Sequence, residues 1–154
     1  MPRICVALAT SADDRALAMG VWRAANAARR RPAGELRTER VRQKIEAAEL
    51  LLVAHYGSRP AGMLLAETYV DGGVRRPLLG HLSMVFVDPA VWDSRVGTAL
   101  IRDVQQRDWD SLSVWTRTDN RRARRLYVST GFTDTGARAA LQDGDEIMQF
   151  RWGR

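Results

Sequence analysis

The chain has 154 residues, of which 45% are hydrophobic and 27% charged, and carries a formal net charge of +6. That length predicts one domain, residues 1–154, and no apolar run approaches the roughly 20 residues that cross a bilayer, so no membrane partner is expected. Cys5 is the only cysteine and His55 and His81 the only histidines, which excludes an internal disulfide and argues against a multi-ligand zinc site, so no metal is implied.

Lys44 is the only lysine, so the positive charge is almost wholly arginine. Such a surface suits a phosphorylated cofactor, an acidic carrier protein or nucleic acid, and equally a plain solvated face. Zinc-finger spacing, a helix-turn-helix pattern and ribonucleoprotein aromatics are all missing, and nucleic acid is not a predicted partner. Met1 to Thr10 lacks a signal peptide's long apolar core and points to a cytoplasmic protein.

In chain order, Ile4 to Ala9 reads as a strand. Ser11 with Asp13 and Asp14 starts a helix, a capping hydroxyl followed by acids in the first turn, which runs through Leu17, Val21, Trp22 and Ala25. Arg29 to Gly34, with Pro32, breaks it. Thr38 is expected to cap a second helix with Val41, Ile45 and Ala48 as its apolar stripe. Strands follow at Leu50 to Tyr56 and Ala61 to Val70, joined by Gly57-Ser58-Arg59-Pro60, and at Leu79 to Val87 after the Asp71-Gly72-Gly73 turn. Val96, Leu100, Ile101 and Val104 mark a helix, Ser111 to Thr116 a strand, and Glu146 to Trp152 a closing strand. Cys5, in the apolar first strand, is expected to be a buried structural thiol.

Between the last two strands lies Asn120 to Phe132, N-R-R-A-R-R-L-Y-V-S-T-G-F. Asn120, Ala123, Leu126, Tyr127 and Thr130 share one side of a helix and Arg121, Arg122, Arg124 and Arg125 occupy the rest. Gly131 then ends the helix in the left-handed conformation. As an ordinary amphipathic helix this segment would simply half-bury Tyr127.

The segment also resembles the last conserved helix of the GNAT acyltransferases, N-x-x-A-x-x-L-Y-x-x-x-G-F, at Asn120, Ala123, Leu126, Tyr127, Gly131 and Phe132. The element order β-α-α-β-β-β-α-β-α-β-β is similar over nearly the whole chain. The resemblance implies an α+β fold: a mixed, mostly antiparallel central sheet flanked by about four helices, with a splayed V-shaped cleft between the two central strands. It further implies transfer of an acyl group, acetyl first, from a coenzyme A thioester to a primary amine of a small molecule or peptide, without a metal.

By that resemblance the backbone of Val85 and Val87, flanking Phe86, would hold the pantetheine amides and face the thioester oxygen. Asn120 would bind the donor arm and Ala123 let it pass, with Arg124 beside them. Tyr127 would stabilise the leaving thiolate. Glu67 and His81 are the candidate bases for the incoming amine, and either is equally readable as structural. Trp22, Trp92 and Tyr69 are candidates for an acceptor pocket or for core.

The family's pyrophosphate loop, Arg/Gln-x-x-Gly-x-Gly/Ala, is matched only in part. Gly97, Ala99 and Leu100 fit, Val96 and Thr98 stand between them, but Trp92 holds the Arg/Gln position and Arg95 that of the first glycine. Glycines let N–H groups approach phosphate oxygens at a helix N-terminus, and Arg95 is expected to resist a positive φ. Two alternatives therefore stand beside acetyl-coenzyme A as donor: a phosphopantetheine thioester tethered to an acidic acyl carrier protein, and a non-catalytic GNAT-like binding domain. A homodimer is compatible with either.

Overall fold

The computed structural model describes residues 2–154, arranged as seven strands, four α-helices and a short 3-10 turn. The chain clusters into two compact units, Met1–Ala66 with Met84–Asp103 and Glu67–Ser83 with Val104–Arg154. The strands belong to one sheet in the order β1-β2-β3-β4-β5-β7-β6.

In the first unit β1 (Ile4–Leu8) pairs antiparallel with β2 (Leu50–Tyr56), which pairs antiparallel with β3 (Arg59–Asp71). Helix α1 (Ala12–Ala27) starts at Ser11, whose hydroxyl accepts from Asp14 N–H at 3.0 Å while the Asp14 carboxylate accepts from Ser11 N–H at 3.3 Å, a reciprocal capping box. The N–H groups of Thr10 and Ser11 hold that carboxyl below its usual range. Trp22, Met19 and Val21 of α1 and Val41 and Ile45 of α2 (Glu35–Glu46) pack with Leu51, Val53, Met63, Leu65 and Met84 into one apolar cluster. Buried Asn26 accepts from Ala33 N–H at 2.9 Å and donates to Ala33 C=O at 3.1 Å, pinning the loop between the helices.

Three details depart from expectation. Helix α2 begins at Glu35 with Gly34 as its cap, and Thr38 sits one turn inside, its hydroxyl donating back to Gly34 C=O at 2.9 Å; a threonine satisfied this way leaves the helix free to start earlier. The β2–β3 turn is only Gly57-Ser58, with Gly57 at φ +63°, so Arg59 and Pro60 belong to β3. Cys5 is exposed, because β1 is the end strand of the sheet and Cys5 alternates with the more enclosed Ile4 and Val6.

The second unit contains the outer part of the β3–β4 hairpin, β4 itself spanning Val74–Val87, then β5 (Ser111–Arg117), α4 (Arg121–Ser129), β6 (Thr133–Ala140) and β7 (Glu146–Gly153). Strand β4 starts five residues before the expected Leu79, straight after Gly72-Gly73, both at positive φ. β5 pairs antiparallel with β7, and β7 with β6. Gly80 is required by packing: a Cβ there would lie 2.5 Å from the Trp109 ring, whose indole N–H donates to Thr68 Oγ1 at 3.2 Å.

Candidate active site

In the second unit β4 and β5 run parallel through four register pairs, from Leu79↔Ser111 to Leu82↔Val114. β5 pairs with β7 as far as Arg117. Alternation along the strands puts His81 and Ser113 on one face of this sheet and Leu82, Val114 and Phe150 on the other.

The first of these faces gathers both predicted bases. Ser83 Oγ donates to Glu67 Oε1 at 2.9 Å, and His81 Nδ1 lies 2.9 Å from Ser113 Oγ. The Tyr69 ring stands edge-on to the imidazole, centroids 5.9 Å apart at 66°. Ser83, Ser113 and Tyr69 carry no sequence motif; two-residue spacing from Glu67 and His81 is the only hint that Tyr69 and Ser83 share their face.

Tyr127 belongs to the other face. Its ring packs 5.5 Å from Phe132 and 5.8 Å from Phe150 and only 4% of the residue is exposed. Burial pushes its phenol well above the ordinary value. No hydrogen bond to its hydroxyl occurs among the described residues.

Helix α4 is built as its sequence implies. The Asn120 side-chain oxygen accepts from Ala123 N–H at 3.1 Å, so the cap uses its carbonyl and not its NH2. At the other end Phe132 N–H bonds Tyr127 C=O at 2.9 Å and Gly131 N–H bonds Val128 C=O at 3.2 Å, with Gly131 at φ +93°. Of the four arginines, Arg124 donates to Thr118 C=O at 2.9 Å, while the guanidinium groups of Arg121 and Arg125 meet no partner among the described residues.

The loop lies in the first unit. Val85, Phe86 and Val87 close β4, and Arg29 stacks over the Phe86 ring at 5.7 Å. Asp88 N–H bonds Ala61 C=O at 2.8 Å and its carboxylate takes the Arg59 guanidinium at 2.8 Å. Burial pushes the Asp88 carboxyl up, but the Ala90 N–H and Arg59 outweigh it and leave the group below its ordinary value. Trp92 folds back, its indole N–H donating to Val87 C=O at 3.1 Å.

Arg95 does not resist a positive φ. It adopts +70°, and Asp93 adopts +65°, the only two non-glycine residues in the left-handed region among the described residues. The chain accepts this strain and enters α3 (Val96–Val104) with Arg95 C=O already bonded to Ala99 N–H at 3.0 Å. The N–H groups of Val96, Gly97 and Thr98 form the first turn, where a helix offers them no carbonyl. Glycine's backbone geometry is kept without glycine.

A groove of about 740 Å³ between α1 and α2, lined among others by Arg15, Met19, Arg23, Arg42 and Glu46, contains none of the predicted site residues. Of the other aromatics, Trp22 is core at 2% exposure and Trp92 is 40% exposed.

With this geometry the comparisons are decisive. A family model described as the acetyltransferase (GNAT) family matches residues 16–132, more than half of the chain. The chain belongs to the GNAT family. The described part of the fold agrees with solved GNAT structures: an acetyltransferase of the family from Bacillus cereus superposes with a TM-score of 0.76 at 14% identity, covering 99% of this chain and 98% of that one. The ribosomal-protein-S18-alanine N-acetyltransferase of Escherichia coli gives 0.72 at 17% identity, over 98% and 94% of the two chains. The yncA protein of Salmonella typhimurium, solved with its cofactor acetyl-CoA, gives 0.75 at 16% identity over 98% and 94%. No curated protein sequence matches the chain. In this GNAT protein the mixed α+β sheet and four helices are those the last-helix motif implied.

Proposed function

We propose that the chain moves an acetyl group from acetyl-coenzyme A to a primary amine of a small molecule or peptide by direct attack. The observation that carries this reading is the α4 motif built as its sequence implies: Asn120 capping through its side-chain oxygen, Ala123 small behind it, and Tyr127 held between Phe132 and Phe150.

The donor's diphosphate is assigned to the Arg95–Ala99 turn. Two left-handed residues followed by a helix N-terminus make a concavity of N–H groups that attracts oxyanions, and Arg95 adds a cation. The arm of the thioester would pair like a strand with the backbone of Val85, Phe86 and Val87. Arg124, beside Ala123 on α4, stands with Arg121 and Arg125 for the remaining phosphate charge.

Tyr127 acts as a hydrogen-bond donor to the leaving sulfur. Ordinary values of about 10 for a phenol and 8.5 for a thiol already make full proton transfer uphill by about 2 kcal/mol, and burial of this phenol widens the gap. Thiolate stabilisation is therefore its role, with the proton arriving from water afterwards. The left-handed turn before α3, with N–H groups free to meet oxyanions, favours free coenzyme A over a carrier-tethered pantetheine and over a domain that has abandoned the donor.

Titration calorimetry with acetyl-coenzyme A and with acetyl-pantetheine, followed by mass spectrometry of mixtures of primary amines and peptides, tests the reading. Micromolar binding of the coenzyme with acetylated product supports it. Binding of acetyl-pantetheine as tight as that of the coenzyme would move the assignment to a carrier protein, and no binding of either would remove it.

A further inference from the structure

Three consecutive arginines, Arg29-Arg30-Arg31, lie between α1 and α2, with no acidic residue from Ala28 to Gly34. Like charges this close repel one another, and a loop with no other task would let them spread. Here the loop is closed instead. Buried Asn26, near the end of α1, engages Ala33 twice, its oxygen accepting from the N–H at 2.9 Å and its NH2 donating to the C=O at 3.1 Å, which ties off residues 27–32. Breaking that tie would leave a buried amide without partners, so the closed loop is strongly favoured. Pro32, with its fixed φ, stiffens it further.

The first of the three arginines anchors the loop to the end of β4. Arg29 Cζ lies 5.7 Å from the centre of the Phe86 ring, where the ring's negative face attracts a guanidinium. Phe86 in turn packs half-buried against the α1–α2 core. Arg30 and Arg31, both exposed, follow within about 8 Å of backbone. That is inside the Debye length of about 10 Å at 0.1 M salt, so their charge is felt at Phe86. The backbone of Phe86 belongs to the segment assigned above to the thioester arm, and the donor's diphosphate is assigned to the Arg95–Ala99 turn. The cations of this loop are therefore left for the second substrate.

We propose that the Arg29-Arg30-Arg31 loop selects the acceptor by charge, and that the amine acetylated by this chain carries a carboxylate or phosphate close to its amino group. This rests on the acyltransferase reading above and names the class of its second substrate. A guanidinium presents its donors as a planar fork that matches the oxygens of either anion. Two such forks beside one anchored over Phe86 attract an anionic amine and repel a polyamine, so one surface supplies both the preference and the exclusion. Asn26 is a positioning residue here: it touches no substrate and holds the three charges where they oppose one another.

The experiment compares matched amines with acetyl-coenzyme A as donor: O-phosphoethanolamine against ethanolamine, β-alanine against its amide, and a peptide with aspartates beside its terminal amine against the same peptide with asparagines. The expected result is a kcat/KM about tenfold or more higher for the anionic member, the worth of one charge-assisted hydrogen bond, and the pair that shows it tells a small acceptor from a peptide. Raising salt from 0.05 to 0.5 M should compress the ratio. The double variant Arg30→Gln with Arg31→Gln should lower it about tenfold, through the KM of the anionic amine. A wild type that prefers the neutral members or 1,4-diaminobutane overturns the proposal, as does a double variant that loses affinity for acetyl-coenzyme A in calorimetry while keeping the ratio. Calorimetry of the anionic amines without donor separates the two readings. Anion binding that the double variant loses, with no amine turned over, refutes the acyltransferase reading alone; turnover of neutral amines without anion preference refutes the charge selection alone.

Discussion

The loop before α3 and the helix α4 carry the family's two signatures in opposite ways. In the loop the residues depart from the motif while the backbone takes a conformation that favours glycine: Arg95 stands at a glycine position and holds φ +70°. In α4 the residues are kept, and what matters chemically is an enclosure that residue identity alone does not reveal, a phenol 4% exposed between Phe132 and Phe150. A site can thus be preserved as conformation or as side chains, and a motif reads only the second.

If α4 contributes through the hydroxyl of Tyr127, Tyr127→Phe removes one hydrogen bond to a developing thiolate and leaves the aromatic cluster intact. We expect kcat to fall by about 10–100-fold, the worth of a charge-assisted hydrogen bond, with donor affinity unchanged in calorimetry. Unchanged turnover would reduce the helix to packing.

Asn120 separates cap from ligand contact. Asn120→Ala should cost about 1 kcal/mol of stability in denaturant titrations and weaken donor binding. Asn120→Asp, which caps equally well but has no NH2, should restore stability and leave donor binding weak. Recovery of both would show that capping is its whole contribution.

The loop should respond with the opposite sign. A left-handed non-glycine residue costs roughly 1–2 kcal/mol and glycine's own entropy returns part of that, so Arg95→Gly should stabilise the chain by about 0.5–1 kcal/mol. Coenzyme A should then bind less tightly and with a weaker salt dependence, because a cation has gone. Arg95→Ala keeps the strain and loses the charge; equal stability of the two variants would refute the conformational account.

The smallest effect is expected at β6. Asp134 is held at about 2 by hydrogen bonds from Arg138 and from Gly136 N–H. A carboxyl lowered on folding contributes stability that is present above its unfolded value of about 3.9 and is lost as pH falls through its folded value of about 2. Between pH 4 and 2, roughly, Asp134→Asn should flatten the acid decline slightly, and an Asp134 resonance titrating near its ordinary value would refute the pairing.

Much of the fold was legible because each element carries both its pattern and its punctuation. Ser11 with Asp14, Gly131 after α4 and Gly72-Gly73 before β4 did what their chemistry requires. The start of α2 was misread because Thr38 satisfies its hydroxyl inside the helix, which sequence cannot tell from a cap. Cys5 was misread because apolar composition does not say that β1 ends the sheet. In the candidate site, Tyr127 and Asn120 were singled out by the resemblance to the last GNAT helix, since their helical spacing is equally that of an ordinary amphipathic helix. Ser113 was not, since its bond to His81 depends on the β4–β5 register, and the strain at Arg95 ran against its residue type.

The sheet's other end, β6, has every residue exposed and shifts register between Asp134 and Arg138, where Gly136 sits at φ +87°. Across that irregularity Arg138 grips Asp134 with two bonds of 2.9 Å. A strand kinked and charged in this manner is a poor template for another backbone. Copies of this chain that meet along this margin would not extend the sheet from one to the next.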